Sequence, residues 1–251
     1  MTSKLAAVIL AAGLGKRMKS EKAKVLNEIN GRPMVMYVIE TAKKIAGNNI
    51  VVVIGKQAEK VSETISKEYE VIFALQKEQL GTGHAVKCAL PFLPEYSEQV
   101  LILCGDVPLL SYDTLKRLYE EHMKSNRDIS ILAVESGNPK GYGRIILDNE
   151  NNVSGIIEET DATDAQKQIK IINSGIYCVK KEFLEYSLNK ISSDNAQGEF
   201  YLTDIVKIGY NYNKNVGAVI GQDNEELLGI NSIQDLMAVE SIIQRRLGII
   251  A

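Results

Sequence analysis

The chain has 251 residues, 45% of them hydrophobic and 24% charged, ordinary values for a globular protein long enough to bury a core without staples. Its formal net charge of -3 supplies no global basic field for nucleic acid, so an anionic ligand has to be held by local cations and backbone amides. Three scattered cysteines and two histidines fit free buried thiols in a reducing compartment and argue against a Cys/His zinc site, and no apolar stretch reaches the ~20 residues of a membrane span.

The N-terminus opens with Lys4 and a short apolar run from Leu5 to Ala12. That run is too brief for a signal peptide and leads straight into Gly13-Leu14-Gly15-Lys16-Arg17, so it reads as a first buried strand and a glycine loop. Segments 6–10, Ile50–Ile54, 71–75 and 100–104 are short, apolar and mostly β-branched, and are expected to be strands buried on both faces. Between them Met34–Ala46, Ala58–Ser66 and 83–92 have helical periodicity. Strand and helix alternating at this spacing predict parallel pairing through right-handed crossovers. A helix over 112–125 and a strand over 129–134 follow.

The second half changes character. Arg144–Leu147 and Val153–Ile157 flank a turn at 148–152 and predict a hairpin. Another strand covers 174–179, helices cover 181–190 and 202–212, and Val216–Ile220 is strand-like. Ser232 is an N-cap with an acid in the first turn behind it, opening a last helix to about residue 247. Without a linker or internal repeat, the pattern is one α/β domain with a nucleotide-type first half and a mixed-sheet second half.

Open parallel sheets bind ligands outside the carboxyl ends of their strands, and the unusual residues follow the predicted strands. In Leu10-Ala11-Ala12-Gly13-Leu14-Gly15-Lys16-Arg17-Met18, glycines let amides approach phosphate while Lys16 and Arg17 add charge; a plain strand–helix turn with solvated cations fits equally. The spacing is not that of a Walker loop. It also fails the dinucleotide fingerprint, because Met18 stands at the third glycine and Gly55-Lys56-Gln57 lacks a ribose-binding acid. Lys24, flanked by Val25 and Leu26, is either a surface lysine or a charge fixed inward. Asp106, in Cys104-Gly105-Asp106-Val107-Pro108, is either a holder of a hard cation or a turn aspartate before proline. Gln76 offers donor and acceptor to a pyrimidine imide edge. Gly81 and Gly83 permit close approach to a base, and Thr82 is either part of that surface or a helix cap. His84 reads as structural rather than catalytic. Gly141-Tyr142-Gly143-Arg144 fits a lid or a hairpin entry. Glu158, Asn173 and Asn231 lie near strand ends or a helix start, where they bind sugar hydroxyls or merely end those elements.

Taken together, these segments resemble the uridylyltransferase domain of the bacterial bifunctional N-acetylglucosamine-1-phosphate uridylyltransferase/glucosamine-1-phosphate acetyltransferase (GlmU) family. The resemblance rests on the glycine loop, Lys24-Val25-Leu26, Gln76, Gln79-Leu80-Gly81-Thr82-Gly83-His84-Ala85, Gly105-Asp106-Val107-Pro108-Leu109, Gly141-Tyr142-Gly143-Arg144-Ile145, Asp161-Ala162-Thr163-Asp164, Asn195-Ala196-Gln197-Gly198-Glu199 and Thr203-Asp204-Ile205, in that order along nearly the whole chain. It implies a Rossmann-like nucleotidyltransferase fold with a mixed, mostly parallel sheet flanked by helices. Residues 1–251 would form a single domain, with about 1–110 binding nucleotide, about 111–231 binding sugar and about 232–247 a C-terminal helix.

The implied reaction joins UTP to N-acetylglucosamine 1-phosphate, with Mg2+ as cofactor. Leu10, Ala11, Ala12 and Gly13 would cradle the nucleotide. Arg17 and Lys24 would neutralise phosphates. Gln76, Gly81 and Thr82 would read uracil, Asp106 and Asn231 would bind magnesium, and Gly143, Glu158, Asn173 and Asn231 would hold the sugar. The sequence departs from the family at Lys16, where threonine is usual, at Ser174 in Asn173-Ser174-Gly175, and at Glu159-Thr160. The family continues into hexapeptide repeats, which this sequence lacks, so acetyltransferase activity and trimerisation through a repeat domain are not expected. Small-molecule substrates, no nucleic acid or membrane partner, and a cytoplasmic location complete the expectation.

Overall fold

The structure, a computed structural model, describes residues 4–13, 15, 18 and 22–246. In chain order the strands and helices are β1 (Leu5–Leu10), β2 (Glu28–Ile29), β3 (Arg32–Pro33), α1 (Met34–Ala46), β4 (Ile50–Ile54), α2 (Ala58–Ser66), β5 (Ile72–Leu75), α3 (Thr82–Ala89), β6 (Gln99–Cys104), α4 (Tyr112–Lys124), β7 (Ile129–Glu135), β8 (Arg144–Leu147), β9 (Val153–Ile157), α5 (Asp164–Lys167), β10 (Ile171–Lys180), α6 (Lys181–Leu188), α7 (Asp204–Asn211), β11 (Val216–Ile220) and α8 (Ile233–Arg246). The main sheet runs β11-β7-β10-β6-β1-β4-β5, with the β8–β9 hairpin attached to β10. All of the ordered pairings are parallel except those of β10, which lies antiparallel between β6 and β7. The sheet is therefore mixed and mostly parallel, as expected.

Alternation along β1 feeds two cores, because successive side chains point to opposite faces. Leu5, Ala7 and Ile9 pack with α1, α2, α4 and α8, whereas Ala6 and Val8 pack with α3, α6 and α7. Helix α1 fits this role through Val35, Val38, Ile39, Ala42 and Ala46, which recur at helical spacing and are buried. Its last turn carries Lys43 and Lys44, which favour the negative helix end, and Gly47 at φ 62° terminates it.

Several elements differ from the sequence expectation. β5 is an edge strand, not one buried on both faces, and Leu75 is 49% exposed. Helix α3 stops at Ala89, and Leu90–Phe92 continues as a 3₁₀ turn around Pro91, since proline supplies no amide for the α-helical ladder. β10 is longer than 174–179 and carries a register shift between Asn173 and Ile176, where Gly175 takes φ 79°. The β2–β3 ribbon was not anticipated. Its turn is Asn30-Gly31, both at positive φ, the pattern of a type I′ hairpin. At the chain's other end, Ser232 caps α8 as expected: Asp235 N donates to Ser232 Oγ at 3.2 Å, and Ser232 N donates back to the Asp235 carboxylate at 2.8 Å. No helix among the described residues is long and apolar enough to cross a membrane.

Candidate active site

The parallel strands β1, β4, β5 and β6 end on the same edge of the sheet, and a cavity of about 480 Å³ opens there. Leu10, Ala12, Gly13, Lys24, Gln76, Gly81, Thr82, Asp106 and Asn231 line it. Gln79, Cys104 and Glu199 line it too, although the sequence reading assigned them no role. Ala11 is set back from this wall: its amide donates to Val53 O at 2.9 Å and completes the sheet instead. Arg17, expected among the phosphate cations, and Lys16 lie outside the described residues.

Among the described residues, one end of the cavity is built around the Lys24 cation. Lys24 sits in a 3₁₀ turn anchored by buried Val25 and Leu26, which resolves the choice between a surface lysine and an inward one. Gly15, at φ +59°, passes so close that a Cβ there would meet Lys24 Cβ at 2.7 Å. The Lys24 ammonium donates to the Asp106 carboxylate and, at 2.7 Å, to Asn231 Oδ1. These oxygens come from distant parts of the chain. Ile230 N donates to Asp106 O at 2.9 Å, pinning the segment before α8 to the end of β6. Asn231 N then donates to the Asp235 carboxylate at 2.9 Å. Two hard oxygens thus converge on one positive charge, the donor set that suits a hard divalent cation with phosphate and water completing its shell. Among the described residues no group of three or more His, Cys, Asp or Glu side chains could hold a metal. Beside this group, burial pushes the Cys104 thiol up to about 12, so it is neutral.

The other end is a polar loop. Gln76 is 3% exposed, and its Nε2 donates to Gly81 O at 3.1 Å. Thr82 does not cap α3. The N-cap position is Gly81, and Thr82 Oγ1 accepts from Leu202 N at 3.0 Å. Phe200 N donates to Leu80 O and Gly83 N donates to Phe200 O, both at 2.8 Å. Residues 80–83 are therefore clasped by residues 200–202, far along the chain. The clasp explains both glycines: a Cβ on Gly81 would lie 2.6 Å from Phe200 O, and one on Gly83 would lie 2.9 Å from it.

Gly143, Glu158 and Asn173 form a second cluster outside the cavity lining. Asn173 N donates to Gly143 O at 2.9 Å, so Gly141-Tyr142-Gly143 is a hairpin entry. A Cβ on Gly143 would lie 3.4 Å from a Glu158 carboxylate oxygen. Glu158 accepts from Thr203 Oγ1 at 3.1 Å, and burial, with Asp161, Asp204 and Glu199 adding repulsion, raises its pKa despite that bond. The Asn173 amide donates to Tyr177 OH at 2.7 Å and accepts from Gly175 N at 3.0 Å. Arg144, at 1% exposure, braces the entry through an ion pair of 2.7 Å to Glu159 and bonds to the carbonyls of Tyr142 and Lys167. Glu159 is one of the family departures, and it has a structural partner here.

The family model described as nucleotidyl transferase matches residues 6–242. The chain belongs to the nucleotidyl transferase family. Within that family it groups with the GlmU proteins. It is 46% identical over 244 residues to "Bifunctional protein GlmU" of Geotalea uraniireducens, an alignment covering 97% of this chain and 53% of that one. It is 42% identical to the protein of the same name from Desulfotalea psychrophila, covering 96% of this chain and 71% of that one. The chain spans about half the length of the curated relatives from Geotalea uraniireducens, Caldanaerobacter subterraneus and Clostridioides difficile. Among solved structures, a putative glucose-1-phosphate thymidylyltransferase from Bacillus anthracis superposes with a TM-score of 0.72 at 18% identity, covering 95% of this chain and 94% of that one. At that identity the likeness concerns the fold alone.

Proposed function

We propose that the chain is an N-acetylglucosamine-1-phosphate uridylyltransferase, which joins UTP to N-acetylglucosamine 1-phosphate and releases pyrophosphate. It would act as a single nucleotidyltransferase domain, with about 1–110 serving the nucleotide, about 111–231 the sugar, and about 232–247 closing the fold. The observation that carries the reading is the convergence of Asp106 and Asn231 on the Lys24 cation at one end of a cavity whose other end is the Gln76–Gly81 loop. Such a cavity accommodates a triphosphate at its charged end and a base at its polar end. The relatives named GlmU support the same choice.

In this reading a phosphate oxygen of the sugar 1-phosphate attacks the α-phosphorus of UTP, and the bond to the pyrophosphate oxygen breaks. The nucleophile is already an anion, so the cavity needs no general base. Its work is to hold two anions in line and to offset their charge. Asp106 and Asn231 would hold Mg2+, which when bound supplies charge neutralisation to the phosphates. Lys24 and Arg17 would stabilise charge gathering on the departing pyrophosphate. Main-chain groups of Leu10 to Gly13 would cradle the nucleotide, and Gln76, Gly81 and Thr82 would face the base. Gly143, Glu158 and Asn173 would receive the N-acetyl sugar.

Pyrophosphate release from UTP tests this, with N-acetylglucosamine 1-phosphate, glucosamine 1-phosphate and glucose 1-phosphate compared. Strong preference for the first is expected. Preference for glucose 1-phosphate would move the chain to another sugar-nucleotide branch, and no turnover with any of the three would refute the reading.

A further inference from the structure

Gln76 has a neighbour whose part in base selection follows from counting donors and acceptors. Gly81 O is a carbonyl and can only accept, so the Gln76 amide atom 3.1 Å from it is the nitrogen. The same nitrogen lies 3.1 Å from His84 Nδ1. Both amide hydrogens are then assigned, one to Gly81 O and the other to the imidazole, and Nδ1 must offer a lone pair. The ring proton is accordingly on Nε2, which faces Cys88 Sγ at 3.8 Å one helical turn along. The Gln76 side chain is almost fully buried and lines the cavity. What its amide has left for a ligand is Oε1, an acceptor that takes no hydrogen bond from any described residue.

We propose that His84 is a positioning residue for base specificity: with Gly81 O it locks the Gln76 amide so that the cavity meets an acceptor. A locked acceptor matches the N3–H of a uracil-type imide ring. It opposes cytosine, whose N3 is itself an acceptor and would face Oε1 lone pair to lone pair. If the amide were free to turn, it would present N–H₂ and serve cytosine as well. His84 is suited to the lock because α3 starts at Thr82 and carries the imidazole directly behind the base loop, while the ring itself is outside the cavity lining. The inference rests on the reading that Gln76 faces the base.

The test is the ratio of the UTP and CTP dissociation constants, measured calorimetrically for the whole chain and three variants. His84→Ala should reduce the preference for UTP by about 10-fold, the scale of one mismatched polar contact. His84→Asn should keep it within about twofold, because the asparagine Oδ1 supplies an acceptor near the place of Nδ1. A simple packing role would weaken both nucleotides alike and would not be rescued by asparagine; either result overturns the proposal. If Gln76→Ala abolishes the preference while His84→Ala leaves it intact, the base reading stands and the lock does not. If Gln76→Ala also leaves it intact, the base reading itself is wrong. Nitrogen NMR of the unmodified protein decides the matter even if a variant fails to fold: a bare Nδ1 and a protonated Nε2 on His84 are expected, and the opposite tautomer refutes the lock.

Discussion

Replacing Lys24 by alanine should change metal binding and catalysis in opposite directions. Lys24 is 12% exposed and Asp106 21% exposed, and they form an ion pair at one end of the cavity. At an effective dielectric near 20, two unit charges ~4 Å apart interact by ~4 kcal/mol. Residual solvent and side-chain relaxation reduce that to ~1–2 kcal/mol of opposition between the ammonium and an arriving cation. Without nucleotide, Lys24→Ala should therefore bind Mn2+ about 10-fold more tightly than the unmodified chain. With nucleotide, the same ammonium would serve phosphate oxygens, and its loss should remove ~2 kcal/mol of transition-state stabilisation, about 30-fold in kcat/KM. Calorimetric titration with Mn2+ and a pyrophosphate-release assay measure the two effects on one preparation. Weaker Mn2+ binding would show that the lysine helps assemble the oxygen pair rather than competing for it. Unchanged catalytic efficiency would remove Lys24 from the chemistry.

Four further outcomes follow from the geometry. Asp106→Ala should lower turnover by roughly a thousandfold or more, since it removes the one carboxylate of the converging pair; near-normal activity in the pyrophosphate assay refutes its assignment. Gly81→Ala places a Cβ 2.6 Å from Phe200 O at φ +110°, and left-handed strain plus overpacking should cost ~2–4 kcal/mol. That should show as a lower Tm with a raised KM for UTP, and an unchanged Tm would contradict the clasp. Arg144→Met leaves Glu159 without its ion-pair partner, with only the Gly141 amide still bonded to it, and should destabilise the fold by ~3 kcal/mol, measured by denaturant unfolding. Adding Glu159→Gln should recover part of that loss, and strictly additive losses would refute the coupling.

The last outcome concerns pH. His122 is 1% exposed. Its Nε2–H donates to Gln99 Oε1 at 2.9 Å, and its Nδ1 accepts from Ser130 Oγ at 3.0 Å. Burial, followed by repulsion from Lys180 and Arg127, lowers its pKa from 6.5 to about 4. Between those values the unfolded chain takes up a proton that the folded chain refuses. Stability should therefore fall as pH drops from 6.5 toward 4, by up to ~3 kcal/mol. Urea melts across that window should be flatter for His122→Asn, and equal slopes would show that His122 is not responsible.

Much of the scaffold was legible because its signals are local. Met34–Ala46, Ala58–Ser66 and the Arg144–Leu147 and Val153–Ile157 hairpin strands have the predicted bounds, each marked by period, cap or turn. β5 misled because its apolar composition matches that of an interior strand, and nothing local tells the last strand of a sheet from its neighbours. The β2–β3 ribbon carried a usable sign in Asn30-Gly31, but two-residue strands show no alternation. In the site, cavity residues that follow strands were found by the strand-end rule. What stayed hidden was pairing across the chain: Lys24 with Asp106 and Asn231, and Thr82 with the Leu202 amide in place of a cap. The Asn231 contact depends on Ile230 being pinned to Asp106, which no window of sequence contains.

The clasp between residues 80–83 and 200–202 also bears on how the protein is made. Residues 80–83 lie in the first half of the chain, yet the hydrogen bonds that shape them wait for Phe200 and Leu202. Closing so long a loop is entropically costly and slow, and it brings no reward until both ends exist. A nascent chain still lacking residue 202 would own every parallel strand around β1 and still have one end of the cavity unfinished. On the proposed function, nucleotide would then bind tightly only to chains that have emerged well past their midpoint, making ligand retention during translation a timer for completion of the second half.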